Sequence, residues 1–157
     1  MSIIQHEMPL LARHEGEWEG TYTIIDDRAN ILDKYSSHVS HQFPQEGSHP
    51  YYQINQYQWQ NGKFEEHHFP ATYKDKKLWF DTSRLQGYAW EVDDSIIMLY
   101  FTYKGISDIY LYEMIHLSRC GNYRNRTLHW FKENQIYQRT MMQEERVRCI
   151  GNAINDN

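Results

Sequence analysis

The chain has few cysteines, little proline and no long apolar run, and each shortage excludes a class of protein. Its 157 residues include 2 cysteines, 4 prolines and 8 glycines. Cys120 and Cys149 lack metal-type spacing, and the first residues lack the basic and apolar parts of a signal peptide. We therefore predict free thiols in a cytoplasmic protein. Because no segment approaches the roughly 20 apolar residues that cross a bilayer, we predict no membrane span.

Positive charge is also scarce. The chain carries 16 lysines and arginines against 21 acidic residues, a net charge of −5, and its basic residues are scattered singly. A protein that binds the phosphate backbone is expected to present a basic face, so we predict no nucleic-acid partner. The chain also has no Gly-x-Ser-x-Gly motif and no glycine-rich phosphate loop, which excludes several common enzyme classes.

Aromatic residues are abundant, with 13 tyrosines and 5 tryptophans. They lie with β-branched residues in short runs separated by polar turns, the composition of strands. A consecutive meander hides its edges by closing, so we predict an all-β protein, a single antiparallel up-and-down barrel of about ten strands. The predicted strands begin at Gly16 and continue with Ile31–Phe43, Tyr51–Trp59, Phe64–Tyr73, Lys77–Thr82, Gly87–Val92, Ile96–Tyr103, Ile109–Leu117, Arg126–Phe131 and Gln135–Val147.

The remaining segments complete one predicted domain. We assign residues 1–150 to the barrel and 151–157 to a disordered tail. Pro9 is placed to open a short N-terminal helix that plugs one end of the barrel. Pro44–Pro50 is the longest break between the early strands, which makes it the candidate loop at the mouth.

The 9 histidines include two close pairs, His38-x-x-His41 and His67-His68. Adjacent residues and residues three apart point to opposite faces of a strand, so neither pair can chelate one ion. No His-x-His occurs. We therefore predict no metal site.

Charged residues within apolar strands form the candidate site. An ionised group inside a barrel must be paired, because desolvating it alone costs several kcal/mol. These groups either line a cavity, with tyrosines and tryptophans as stacking surface, or face solvent. For the cavity we select Glu113 and His129 as catalytic candidates and, as ligand-binding candidates, Tyr57, Trp59, Glu66, Trp79, Arg84, Trp90, Arg126 and Arg139.

Glu113 is the most informative of these residues. It alternates with apolar residues of one strand face, so we predict that it lies inside the barrel and is held by Arg126 or Arg139. The opposite face is polar enough for the outer wall: Tyr110, Tyr112, Met114 and His116. In the next strand Arg126 and His129 lie on opposite faces, both partly apolar, and the pattern does not decide which one points inward.

Several aromatic segments recur along the meander: Gly16-Glu17-Trp18, Leu78–Thr82, Ala89–Val92, Leu111–Ile115 and His129–Phe131. In these segments, and over most of its length, the chain resembles an uncharacterised lipocalin-like family of bacteria, especially cyanobacteria. That family belongs to the calycin barrels, with lipocalins, fatty-acid-binding proteins and nitrobindins. The resemblance implies a ligand cavity and supplies no catalytic residues. The surroundings of His129 do not match a haem-ligating histidine of nitrobindins, so we predict no cofactor.

These observations favour a protein that binds a small hydrophobic or aromatic molecule in its barrel. The first alternative is a cofactor-independent acid–base enzyme, an isomerase, cyclase, dehydratase or lyase, acting on such a molecule. The second is a pure interaction protein with a filled barrel and an exposed apolar patch. Sequence leaves the oligomeric state open, a homo-oligomer included.

Overall fold

The computed structural model describes residues 1–148, and these form a closed barrel of ten antiparallel strands. Each strand pairs with the next, and the last strand closes against the first, which confirms the predicted architecture. The predicted tail and Cys149 lie outside the described residues. The strands are β1 (Gly16–Asp26), β2 (Ile31–Gln42), β3 (Tyr51–Gln58), β4 (Phe64–Lys74), β5 (Lys77–Asp81), β6 (Leu85–Glu91), β7 (Ile96–Tyr103), β8 (Ile109–Leu117), β9 (Tyr123–Lys132) and β10 (Gln135–Arg148).

Tight turns set the register of this meander. Glu133 and Asn134 join β9 to β10 with φ values of 50° and 61°, the left-handed pair that a two-residue hairpin requires. Gly62, with a φ of 88°, serves the turn between β3 and β4. Asn61-Gly62 and Glu133-Asn134 therefore form two of the hairpin turns of the meander.

Two short helices close one end of the barrel, α1 (Ile3–Glu7) and α2 (Pro9–Ala12). Ser2 and Gln5 form a capping box around the first turn of α1, and Pro9 opens α2. The apolar side of both helices packs into the core that includes Trp18, and the Leu11 N–H donates to Glu91 Oε1 at 2.7 Å. The predicted N-terminal plug thus consists of two helices. No helix within residues 1–148 is long and apolar enough to span a membrane.

The mouth of the barrel lies at the opposite end, and the prediction for Pro44–Pro50 was wrong. In an up-and-down meander, alternate loops share one end of the barrel. The β2–β3 loop therefore lies at the end where β1 begins, and Phe43 beside it packs in the same core as the helices. The mouth is formed instead by the loops that follow the odd-numbered strands.

Candidate functional site

A cavity of about 420 Å³ occupies the open half of the barrel. Every strand contributes to its wall, and residues of the mouth loops, among them Lys63 and Arg84, lie at its rim. A volume of this order suits one small molecule. The barrel is therefore plugged at one end and hollow at the other.

Aromatic rings cover one side of the cavity near the mouth. The Tyr35 and Trp59 ring centroids are 4.4 Å apart, and Tyr57 lies 5.1 Å from Tyr35. The Trp59 indole N–H donates to both carboxylate oxygens of Asp33, at 3.0 and 3.1 Å, and the Lys63 ammonium lies 4.5 Å above the Trp59 ring. These contacts fix the rings at the rim of the cavity.

A buried ion pair lies deeper in the cavity wall. Arg126 Nε donates to Glu113 Oε1 at 2.7 Å, and Arg126 Nη1 donates to the Tyr22 hydroxyl at 2.9 Å and to Glu144 Oε1 at 3.3 Å. Burial alone would lower the pKa of Arg126, but the attraction of Glu113 and the other acidic groups holds it well above its ordinary value. The prediction that Glu113 is buried and held by an arginine is confirmed.

A second ion pair lies towards the plugged end. Arg124 Nε and Nη2 donate to the two carboxylate oxygens of Glu144 at 2.9 and 2.8 Å, and both side chains are fully enclosed. The Arg124 guanidinium also stacks on Trp18, 4.4 Å from a ring centroid. Burial raises the pKa of Glu144, but Arg124 and Arg126 outweigh it and the pKa is lowered.

Two neutral histidines surround the remaining nitrogen of Arg124. Its Nη1 lies 2.7 Å from His41 Nε2 and 3.2 Å from His14 Nδ1. Burial and the Arg124 charge lower the pKa of both histidines well below 6.5. Because Arg124 only donates, His41 accepts on Nε2 and carries its proton on Nδ1, which donates to the Tyr51 hydroxyl at 2.6 Å.

The hydrogen bonds continue along the inner face of β3 in one direction. Tyr51 donates to Gln53 at 2.9 Å, Gln53 donates to Asn55 at 2.8 Å, and Asn55 donates to the Tyr57 hydroxyl at 2.9 Å. Since Arg124 begins the series as a pure donor, each step fixes the next. The Tyr57 hydroxyl oxygen is the last acceptor of this series, and the Tyr57 hydroxyl also shares a hydrogen bond with Tyr22.

The cavity brings together half of the residues selected from the sequence. The five that line it are Tyr57, Trp59, Arg84, Glu113 and Arg126. The other five do not line it and lie elsewhere on the barrel: Glu66, Trp79, Trp90, His129 and Arg139.

Glu66 lies one position away from the residues of β4 that line the cavity. Glu65 and His67 line the cavity, whereas Glu66 lies on the outer face and accepts hydrogen bonds from Gln56 and His68 at 2.8 Å. Both faces of β4 are polar, so hydrophobic alternation gives no indication of which side is inside.

Trp79 and Trp90 belong to an aromatic ladder on the outer wall. Tyr88 lies between them, with ring centroids 5.3 Å from Trp79 and 5.5 Å from Trp90. Their strand neighbours Leu78 and Ala89 take the inward positions and are buried. Ring content alone therefore overestimated the aromatic lining of the cavity.

His129 and Arg139 are paired across β9 and β10 on the outer wall. In β9 the inward positions are taken by Arg126, Leu128 and Trp130, which line the cavity. Partial burial and the adjacent Arg139 lower the pKa of His129. His129 therefore lies outside the cavity lining.

Several residues of the site were not predicted from the sequence. A signal existed for Gln53 and Asn55, because selecting Tyr57 on a strand selects every second residue before it. No comparable local signal existed for the partners from distant strands: Tyr22, His41, Arg124 and Glu144.

The histidine pairs are divided between the two faces as predicted. His41 is buried, whereas His38 lies outside beside Glu17 and Glu19. His67 lines the cavity, and His68 lies outside with Glu66. Within residues 1–148 no three histidine, cysteine or acidic side chains are grouped as metal ligands would be.

Comparison with known proteins supports the fold. No protein-family model and no curated protein matches the chain. The S-type phycobiliprotein lyase CPES from Guillardia theta superposes with a TM-score of 0.70 at 12% identity, covering 94% of this chain and 99% of that one. Rv2717c from M. tuberculosis gives a TM-score of 0.63 at 12% identity, with the same coverage.

A third similar structure is a DUF3598 family protein of unknown function from Nostoc punctiforme, with a TM-score of 0.65 and 19% identity. The match covers 87% of this chain and 48% of that one, so this chain spans about half its length. At these identities the three structures support the barrel fold alone.

Proposed function

We propose that this protein binds a small, mostly apolar molecule in its barrel cavity. The observation that carries the proposal is the cavity itself, about 420 Å³, with aromatic rings at the mouth and the Glu113–Arg126 pair in its wall. A chain that needed only a stable core would fill this space, because unfilled volume is costly. A wall of rings with a few placed polar groups is the usual composition of a ligand site.

The direct test is native mass spectrometry of freshly purified protein, followed by titration with 1-anilinonaphthalene-8-sulfonate (ANS). We expect a co-purified molecule, and one ANS site per chain that quenches tryptophan emission. Failure of ANS to bind, together with a mass equal to that of the bare chain, would contradict the proposal.

An acid–base enzyme remains the second candidate, because Glu113 is a carboxylate at the cavity wall with tyrosine hydroxyls nearby. Such an enzyme would lose turnover in Glu113→Gln and still bind its substrate. The interaction-protein alternative predicts a filled barrel, and the cavity argues against it.

The family, the location and the partners complete the proposal. We propose that the chain belongs to the lipocalin-like bacterial family, and its barrel fold and aromatic segments support this. Cys120 is a free, exposed thiol, which fits the proposed cytoplasmic location. The absence of a nucleic-acid partner stays a prediction.

A further inference from the structure

Two polar atoms in the cavity wall are left without a protein partner. Arg126 uses Nε and Nη1 in hydrogen bonds, and within residues 1–148 nothing bonds to its Nη2. Glu113 uses Oε1, and over the same residues its Oε2 has no partner. Both residues line the cavity. Among the described residues, the fully enclosed side-chain atoms without a partner are His14 Nε2 and Ser37 Oγ, so Arg126 Nη2 and Glu113 Oε2 are accessible. The two atoms are therefore open to a ligand.

These two atoms, one a donor and the other an acceptor, are the open edge of the Glu113–Arg126 pair. The Arg124–Glu144 pair shows the complete arrangement, in which Nε and Nη2 of one guanidinium edge hold both carboxylate oxygens. Between Arg126 and Glu113 only the Nε bond is made. Nη2 is bonded to the carbon that carries Nε, and Oε2 to the carbon that carries Oε1, so each is one carbon away from an atom of that bond.

Tyrosine hydroxyls add a further donor to this edge. The Tyr57 oxygen accepts from Asn55, and the Tyr22 oxygen accepts from Arg126. The two rings are 4.9 Å apart by centroid. The two hydroxyls share a hydrogen bond, so one of their two hydrogens remains available to a ligand, because each hydroxyl has only one.

The charge around the edge is already balanced. Arg124 and Arg126 are matched by Glu113 and Glu144, and His14 and His41 are neutral. An ionised head group would bring a buried charge without a counter-charge, which is costly. A carboxylate would in addition face Glu113 Oε2. The edge therefore favours a neutral head.

We propose, on the basis of the function proposed above, that the ligand carries a neutral head group with a carbonyl oxygen next to an N–H, as in a lactam or a cis amide. The carbonyl oxygen accepts from Arg126 Nη2 and from a tyrosine hydroxyl. The N–H donates to Glu113 Oε2. The apolar body of the ligand extends towards the rings at the mouth, including Trp59 and Trp130.

Three two-ring probes of similar size test this proposal by calorimetry: 2-quinolone, coumarin and 2-naphthoate. 2-Quinolone is a lactam, coumarin has a ring oxygen in place of the N–H, and 2-naphthoate is an anion. We expect one molecule of 2-quinolone per chain, bound at least about tenfold more tightly than coumarin or 2-naphthoate, because each of these leaves Oε2 unpaired or repelled.

Two variants separate the donor from the acceptor. In Glu113→Gln the amide oxygen accepts from Arg126 Nε, and the NH₂ group replaces Oε2, so the preference for 2-quinolone over coumarin should disappear. Glu66→Gln, on the outer wall, is the matched control and should retain it. Tyr57→Phe should weaken the binding of 2-quinolone and of coumarin by a similar factor, so the ratio of their dissociation constants should not change.

The outcomes distinguish the two proposals. Equal binding of 2-quinolone and coumarin to the wild type, or tighter binding of 2-naphthoate, overturns the neutral-head inference while cavity binding stands. Failure of all three probes and of ANS to bind overturns the proposed function itself. Circular dichroism shows whether Glu113→Gln folds. If it does not, the ratio of 2-quinolone to coumarin affinity, measured in the wild type and in Tyr57→Phe, still tests the inference.

Discussion

Arg124 Nη1 donates to His41 Nε2 across 2.7 Å, and this contact requires His41 to be neutral in the buried part of the barrel. Both His41 and His14 have pKa values well below 6.5, through burial first and the Arg124 charge second. Protonating either ring would place a positive charge against a guanidinium that is itself enclosed. The buried cluster is therefore sensitive to acid.

Stability should fall with pH below about 6.5, the pKa of histidine in the unfolded chain. A histidine whose pKa is lowered on folding contributes stability above the unfolded value, and this stability is lost as pH falls towards the folded pKa. The loss reaches about 1.4 kcal/mol per pH unit for each histidine. Urea melts at pH 7.5 and 5.5 measure it. The slope should be shallower in His41→Gln, and a wild-type slope in that variant would contradict the argument.

Glu113→Ala should destabilise the barrel by about 3 to 5 kcal/mol, because removing one partner leaves Arg126 buried with less compensation. Glu113→Gln should cost less, since it keeps a hydrogen-bond acceptor for Arg126. Glu66→Ala is the exposed control and should stay within about 0.5 kcal/mol of the wild type. Urea unfolding measures all three. Equal stability of the wild type and Glu113→Ala would show that the ion pair contributes nothing.

Trp59→Leu should weaken ANS binding by roughly tenfold, because it removes a stacking surface from the mouth. Trp79→Leu changes the same residue type on the outer wall and should leave the ANS dissociation constant unchanged. Fluorescence titration measures both. A larger effect from Trp79 than from Trp59 would place the ANS site outside the barrel.

Gly20→Ala should destabilise the barrel by about 1 to 3 kcal/mol, the usual cost of overpacking. A Cβ at Gly20 would collide with the carbonyl oxygen of Gln143 on β10. The substitution therefore acts on the pairing between β1 and β10. Thermal unfolding measures it, and an unchanged melting temperature would show that the two strands separate slightly without loss.

The fold could be predicted from sequence because turns and strand composition are local signals. The face of β8 could be predicted as well, since Glu113 alternates with residues that are clearly apolar. On β3 the hydrophobic rule does not identify the inner face, because Gln53 and Asn55 lie inside. Their burial is compensated by a hydrogen-bond series that starts at Arg124. Because Arg124 is distant in sequence, no local pattern indicates that these residues are buried.

The pairing of β1 with β10 has a consequence during synthesis on the ribosome. Glu19 of β1 lies opposite Glu145 of β10. The backbone groups on this edge of β1 therefore remain unpaired until β10 has been synthesised. Until then its N–H and C=O groups are open to any other strand, including one from a neighbouring nascent chain. The barrel can close only after β10 has left the exit tunnel.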